Sequence, residues 1–227
     1  MSPEHKSRTE GISLSRTARP SVGGMRILLI GATGKLGAAV HETLAGRGHE
    51  IITVGRRGGD LRLDISDPAQ VTEAYDRAAE RAGTLDAVVS AAGDTPYKPV
   101  AAMTAEDYAA GFRGKVLGQI ELVRQGTARI AGRGSFTLIT GVSSRDPIPT
   151  GSAAAMANGA VEAFVRAAAL DIAPQRVNAV GPTVFTESLA EYGDFFPGVK
   201  PVDLAQVAAA YVRSVEGGQT GQVYEPV

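Results

Sequence analysis

The sequence predicts an α/β fold, a doubly wound parallel sheet of about seven strands with helices on both faces. Three observations carry that expectation. Short apolar runs alternate with helical segments from Met25 onward, without a long linker or an internal repeat. The runs are nearly continuous in Val, Ile, Leu and Ala, as in strands buried on both faces. A glycine loop, Gly31 to Gly37, joins the first run to the first helix in the manner of a Rossmann-like nucleotide fold.

Taken in order, Arg26–Ile30 reads as the first strand and Lys35–Ala45 as an amphipathic helix. Ile51–Val54 is the second strand, and Leu61–Asp64 a very short third. Ser66, Asp67 and Pro68 cap a helix that runs to about Arg81, with proline in its first turn. Leu85–Ser90 is the fourth strand, a long helix is expected from about Thr104 to Ile130, and Ser135–Thr140 is the fifth strand. Ser152–Leu170 is an alanine-rich helix, Arg176–Val180 the sixth strand, Val202–Val215 a helix and Gln222–Tyr224 a final short strand. Only a short segment separates Thr186 from Val202, so any lid over a ligand is small.

Ligands of such sheets bind beyond the carboxyl ends of the strands. The glycine loop is built for a dinucleotide. One glycine makes the tight turn, one lets backbone approach a pyrophosphate, and one lets the helix pack on the strand. The helix then offers free N–H groups and the positive end of its dipole. Gly31, Thr33, Gly34, Lys35, Leu36 and Gly37 are therefore the candidate phosphate cradle. A carboxylate that would hold a ribose 2′-hydroxyl is absent after the second strand, where Gly55, Arg56 and Arg57 stand instead. A guanidinium there suits a 2′-phosphate, with Lys35 adding positive charge, so NADP(H) is expected over NAD(H).

Composition narrows the alternatives. The chain has 227 residues, 44% apolar, which suits one domain over residues 25–227. Residues 1–24 are polar and without periodicity, and read as a disordered or tag-like arm. A net charge of −1 gives no footprint for nucleic acid. There is no cysteine, and the three histidines form no cluster with metal-ligand spacing, so no metal is expected. No apolar run approaches the roughly 18–20 residues that cross a bilayer, and a cytoplasmic location without membrane contact is the default.

The region from Met25 to Tyr224 resembles the short-chain dehydrogenase/reductase family. GATGKLG is similar to its glycine loop, LDISDP to its adenine-contacting segment, VVSAAGD to the segment after the fourth strand and RVNAVGPTVFTES to the loop beside the nicotinamide. The resemblance implies cofactor contacts from Asp64 and Ile65, from Ala91, Ala92 and Gly93, and from Pro182, Val184 and Thr186. It also implies proton handling by a tyrosine and a lysine one turn apart on the alanine-rich helix, with a serine upstream and an asparagine on the preceding helix. Aligning GAVEAF places Ala154 at the tyrosine, Asn158 at the lysine, Gly141 at the serine and Lys115 at the asparagine. Thr137 to Leu170 contains neither tyrosine nor lysine.

Other residues are candidates for the missing chemistry. Ser143, Ser144 and Arg145 enter the crevice after the fifth strand, and Ser143 can hydrogen-bond a carbonyl oxygen. Lys115 can act as acid or electrostatic stabiliser, and the Asn158 amide can hold ribose hydroxyls. Tyr97, Lys98 and Tyr192 are further phenol or amine donors. Two functions follow: an NADP-dependent oxidoreductase acting on a small carbonyl or alcohol with a non-standard proton donor, or a non-catalytic NADP(H) sensor or scaffold. The small-residue faces Ala153–Ala157 and Ala160–Ala169, together with the family resemblance, imply a homodimer or homotetramer.

Overall fold

The computed structural model describes residues 23–226. The expected N-terminal arm lies almost wholly outside them. Seven strands form one sheet in the order β3-β2-β1-β4-β5-β6-β7, and every pairing is parallel. They are β1 (Arg26–Ile30), β2 (Glu50–Gly55), β3 (Leu61–Arg62), β4 (Leu85–Ser90), β5 (Ile130–Ile139), β6 (Arg176–Val180) and β7 (Val223–Tyr224). Connections from β1 run outward to β2 and β3, then return to β4 on its other side, so the strand order reverses between β1 and β4. A crevice opens at that reversal.

Alternation along β1 explains its apolar run. Leu28 and Ile30 face a core covered by α2 (Pro68–Ala82), α4 (Gly118–Gly126) and α5 (Ser152–Asp171). Ile27 and Leu29 face the opposite core, covered by α1 (Lys35–Ala45) and α7 (Leu204–Glu216). Asp67 caps α2 by accepting from the Ala69 N–H at 2.9 Å, ahead of Pro68.

Several boundaries depart from the sequence reading. The single long helix expected from Thr104 to Ile130 is three pieces: α3 (Ala105–Gly111), a π turn (Phe112–Leu117) and α4, which stops at Gly126. A side chain at Gly126 would strike the Tyr75 hydroxyl and the Phe136 ring, so α4 passes close over the sheet there. Ile130, expected to end that helix, instead begins β5 opposite Leu85, and a register irregularity separates that pair from Ala87↔Ser135. β3 is two residues long because Asp64 is drawn into the α2 cap, its carbonyl accepting from Asp67 N at 3.1 Å. The segment after β6 contains α6 (Leu189–Tyr192) between two short 3-10 turns, which no periodicity announced.

Candidate active site

A cavity of about 590 Å³ lies over the carboxyl ends of β1, β4, β5 and β6. Of the residues expected to bind cofactor, it is lined by Gly34, Lys35, Leu36, Ala91, Gly93, Asn158, Pro182 and Val184. Both catalytic candidates, Lys115 and Ser143, line it too. Four loops distant in sequence thus converge on one volume.

The glycine loop is shaped by its backbone. Gly31 has φ of +84°, and its N–H bonds to the Val54 carbonyl at 2.7 Å, which fixes the turn against β2. Gly37 packs on the Gly31 carbonyl with no room for a side chain. α1 starts at Gly34 with no side-chain cap and no acidic residue in its first turn, so its leading N–H groups and positive dipole end are left for an anion. Thr33 stands beside Gly55 and Gly58, next to Arg56 and Arg57, which are exposed and form no ion pair among the described residues. The nearby Asp60 carboxylate is engaged by the Thr53 hydroxyl at 2.6 Å and held below its ordinary pKa, chiefly by that bond.

Other expected contacts lie outside the cavity lining. Asp64 accepts from Ser66 N at 2.9 Å, and Ile65 is buried, packed at Gly118 of α4. Ala92 packs at Gly31. Thr186 is exposed, its N–H bonded to the Val202 carbonyl at 3.0 Å. Lys35 corrects the sequence reading. Its ammonium turns to Ser188 Oγ at 3.3 Å and Glu191 at 3.5 Å, on the segment after β6, and so is grouped with the lid side instead of with Arg56.

Lys115 is carried into the cavity by the π turn, a distortion frequent at functional sites. Gln119, one turn on and fully buried, locks that turn to the sheet. Its Nε2 donates to the carbonyls of Lys115 at 2.9 Å and Ile139 at 3.0 Å, and its Oε1 accepts from Ile139 N at 2.8 Å. The lysine stem lies on Gly93, where a Cβ would come within 2.8 Å of Lys115 Cγ. Burial pushes the Lys115 ammonium down to about 8, against the opposing pull of the Asp94 carboxylate at the cavity wall.

The positions aligned with serine, tyrosine and lysine lie together. Ala154 is buried, and Gly141 approaches Asn158 so closely that a Cβ there would sit 2.9 Å from Nδ2. Asn158, 3% exposed, donates from Nδ2 to Ser143 Oγ at 2.8 Å. Since that oxygen accepts from Asn158, the Ser143 hydroxyl proton remains free to donate. The loop carrying Ser143 is tied to α5 by the buried Glu162, which accepts from Ser144 Oγ at 2.6 Å and Arg145 Nη1 at 2.6 Å. Tyr97 and Tyr192 also line the cavity, whereas the Lys98 ammonium is taken by Asp107 at 2.7 Å.

Among the described residues, two buried side-chain polar atoms lack a protein partner, Asn158 Oδ1 and Thr183 Oγ1, and both residues line this cavity. Leaving such an atom unpaired costs about 1–3 kcal/mol. With the uncapped α1 N-terminus, they make the cavity suited to an elongated polar ligand such as a dinucleotide. The sequence holds Thr183 and Phe185 only within the RVNAVGPTVFTES segment, without singling them out, and Phe195 and Phe196 sit in a stretch with no regular pattern. No metal-ligand cluster occurs among the described residues, and none of their helices is long and apolar enough to cross a membrane.

Comparison with known proteins adds to this geometry. A family profile described as enoyl-(acyl carrier protein) reductase matches residues 10–219. Versicolorin reductase stcU of Emericella nidulans is 28% identical over 180 residues, 70% of this chain and 68% of that protein. The crystal structure of the protein lin1944 from Listeria innocua has a TM-score of 0.85 at 43% identity, covering 90% of this chain and 100% of that one. A small-chain dehydrogenase in complex with NADPH has a TM-score of 0.77 at 24% identity over 89% of this chain and 96% of that one, a likeness of fold.

Proposed function

The chain belongs to the short-chain dehydrogenase/reductase family, and from that premise we propose that it is a nicotinamide-dependent oxidoreductase that reduces a carbonyl group with Lys115 as proton donor. The observation that carries this reading is Lys115 itself. It lines the same cavity as the glycine loop and is shifted to about 8, where an ammonium both persists at neutral pH and gives up its proton readily.

Gly31, Gly34 and the first turn of α1 would hold the pyrophosphate, Asn158 the ribose, and Pro182, Thr183 and Val184 the carboxamide end. Arg56, exposed on the loop after β2, favours a 2′-phosphate, hence NADP(H) over NAD(H). When bound, the reduced cofactor supplies a hydride. Lys115 delivers a proton to the carbonyl oxygen as negative charge gathers there, and the Ser143 hydroxyl donates a hydrogen bond to that oxygen. The Ala154 position supplies no phenol, so the proton comes from the facing helix.

A second reading, a non-catalytic NADP(H) sensor, is favoured by the buried apolar Ala154 and by Gly141 at positions that carry proton chemistry in the family. Incubating the protein with NADPH and a panel of ketones separates the two. Loss of NADPH absorbance with product alcohol supports the reductase, and tight binding without turnover of any ketone supports the sensor.

A further inference from the structure

Resting on the reductase reading, we propose that the outer part of the cavity is a slot for a planar aromatic ring, making the substrate an aromatic ketone. The chain is poor in aromatic residues, with six Tyr, six Phe and no Trp. Five of these twelve, Tyr97, Phe185, Tyr192, Phe195 and Phe196, line this one cavity. Among the described residues, Tyr97, Tyr192 and Phe195 are the aromatic side chains that stand exposed, at 54%, 46% and 41%. Exposed rings are thus confined to the wall of a concavity shared with Lys115 and Ser143.

The rings come from two segments distant in sequence. Tyr97 belongs to the loop after β4, whereas Tyr192, Phe195 and Phe196 belong to the segment after β6. Tyr97 and Tyr192 both line the cavity, and the Tyr192 phenol is pushed up chiefly by its bond to Glu191 and by burial. The Tyr97 wall is latched in place. Lys98 N donates to the Thr150 carbonyl at 3.1 Å, and Tyr108 Oη meets Ser152 Oγ at 2.9 Å. Thr150 holds φ of +64°, a costly conformation for a β-branched residue, at that latch. Lys35 tethers the segment after β6 through Ser188 and Glu191. Aromatic rings gathered on one cavity wall favour a flat π-system, which stacks or meets them edge-on. The carbonyl of such a ketone, at the inner end, meets Lys115 and Ser143. There its carbon gains the hydride and its oxygen the lysine proton, while the reduced nicotinamide is oxidised.

The test is calorimetric titration of 2-tetralone and of cyclohexanone into the intact protein, with and without NADPH, beside an assay of NADPH oxidation. The slot predicts tighter binding of 2-tetralone, with Tyr97→Leu and Phe195→Leu each weakening it about threefold to tenfold and weakening cyclohexanone by less. Both positions are exposed, and circular dichroism checks that the variants fold. Equal affinity for the two ketones, or 2-tetralone binding unmoved in the double variant, overturns the slot. Ring-dependent binding without NADPH oxidation supports the slot and overturns the reductase reading. Oxidation of NADPH with no ring dependence does the reverse.

Discussion

Asn158 donates to Ser143 Oγ at 2.8 Å while its own Oδ1 is left without a partner, although the residue is 3% exposed. A buried amide satisfied on one side only is costly, and a fold keeps such a group where a ligand completes it. The pair joins α5 to the loop after β5, on the cavity wall facing the π turn that bears Lys115.

Ser143→Ala leaves the Asn158 amide with no side-chain partner. Urea unfolding is expected to show a loss of about 1–3 kcal/mol. The double replacement with Asn158→Ala is expected to cost less than the two single losses added, because the orphaned group is then gone.

Arg56→Ala is expected to weaken NADPH binding about 10- to 100-fold, the worth of a charge-assisted bond, and to leave NADH binding unchanged. Fluorescence titration with the two cofactors measures the ratio. An unchanged ratio assigns the 2′-phosphate elsewhere, or to no residue at all.

Lys115 ties stability to pH. Its value falls from 10.5 to about 8 on folding, so between these values the unfolded chain binds more protons, and stability from this group rises with pH across that window. Below about 8 the folded protein carries the full cost of the buried ammonium. Lys115→Met is expected to be the more stable protein at pH 7, with the difference from wild type narrowing toward pH 10. Urea midpoints across that range check it.

Gln119→Ala strips partners from the Lys115 carbonyl and from the buried carboxyl end of β5 at Ile139. A loss of several kcal/mol is expected at about 1–3 kcal/mol for each polar group left unsatisfied. Gln119→Glu keeps the acceptor for Ile139 N but sets a buried carboxylate oxygen against the two carbonyls, and is expected to cost at least as much.

Much of this was legible in the sequence where local pattern and tertiary role coincide. β4 and β6 fall at the expected residues because their apolar runs are buried on both faces and bounded by turns. The glycine loop was equally plain. The long helix was not, since a π turn shifts the apolar spacing at Gly111, Gly114 and Gly118, glycines that a helix also tolerates, and the close pass of Gly126 over Tyr75 and Phe136 shows only in the fold. Lys35 was grouped with Arg56 by nearness in charge and sequence, but its partners lie on the distant segment after β6. The aromatic wall was hidden for the same reason: its rings are scattered in sequence and meet only when the loops converge.

The pH dependence of NADPH-driven ketone reduction, measured in wild type and Lys115→Met, tests the central claim most directly. Reduction needs the ammonium, so wild-type kcat/KM is expected to be level at low pH and to fall tenfold per unit above about 8. Lys115→Met is expected to be about 10²- to 10⁴-fold slower and to lack that break. A Lys115→Met protein with the wild-type rate and the same break would contradict the account.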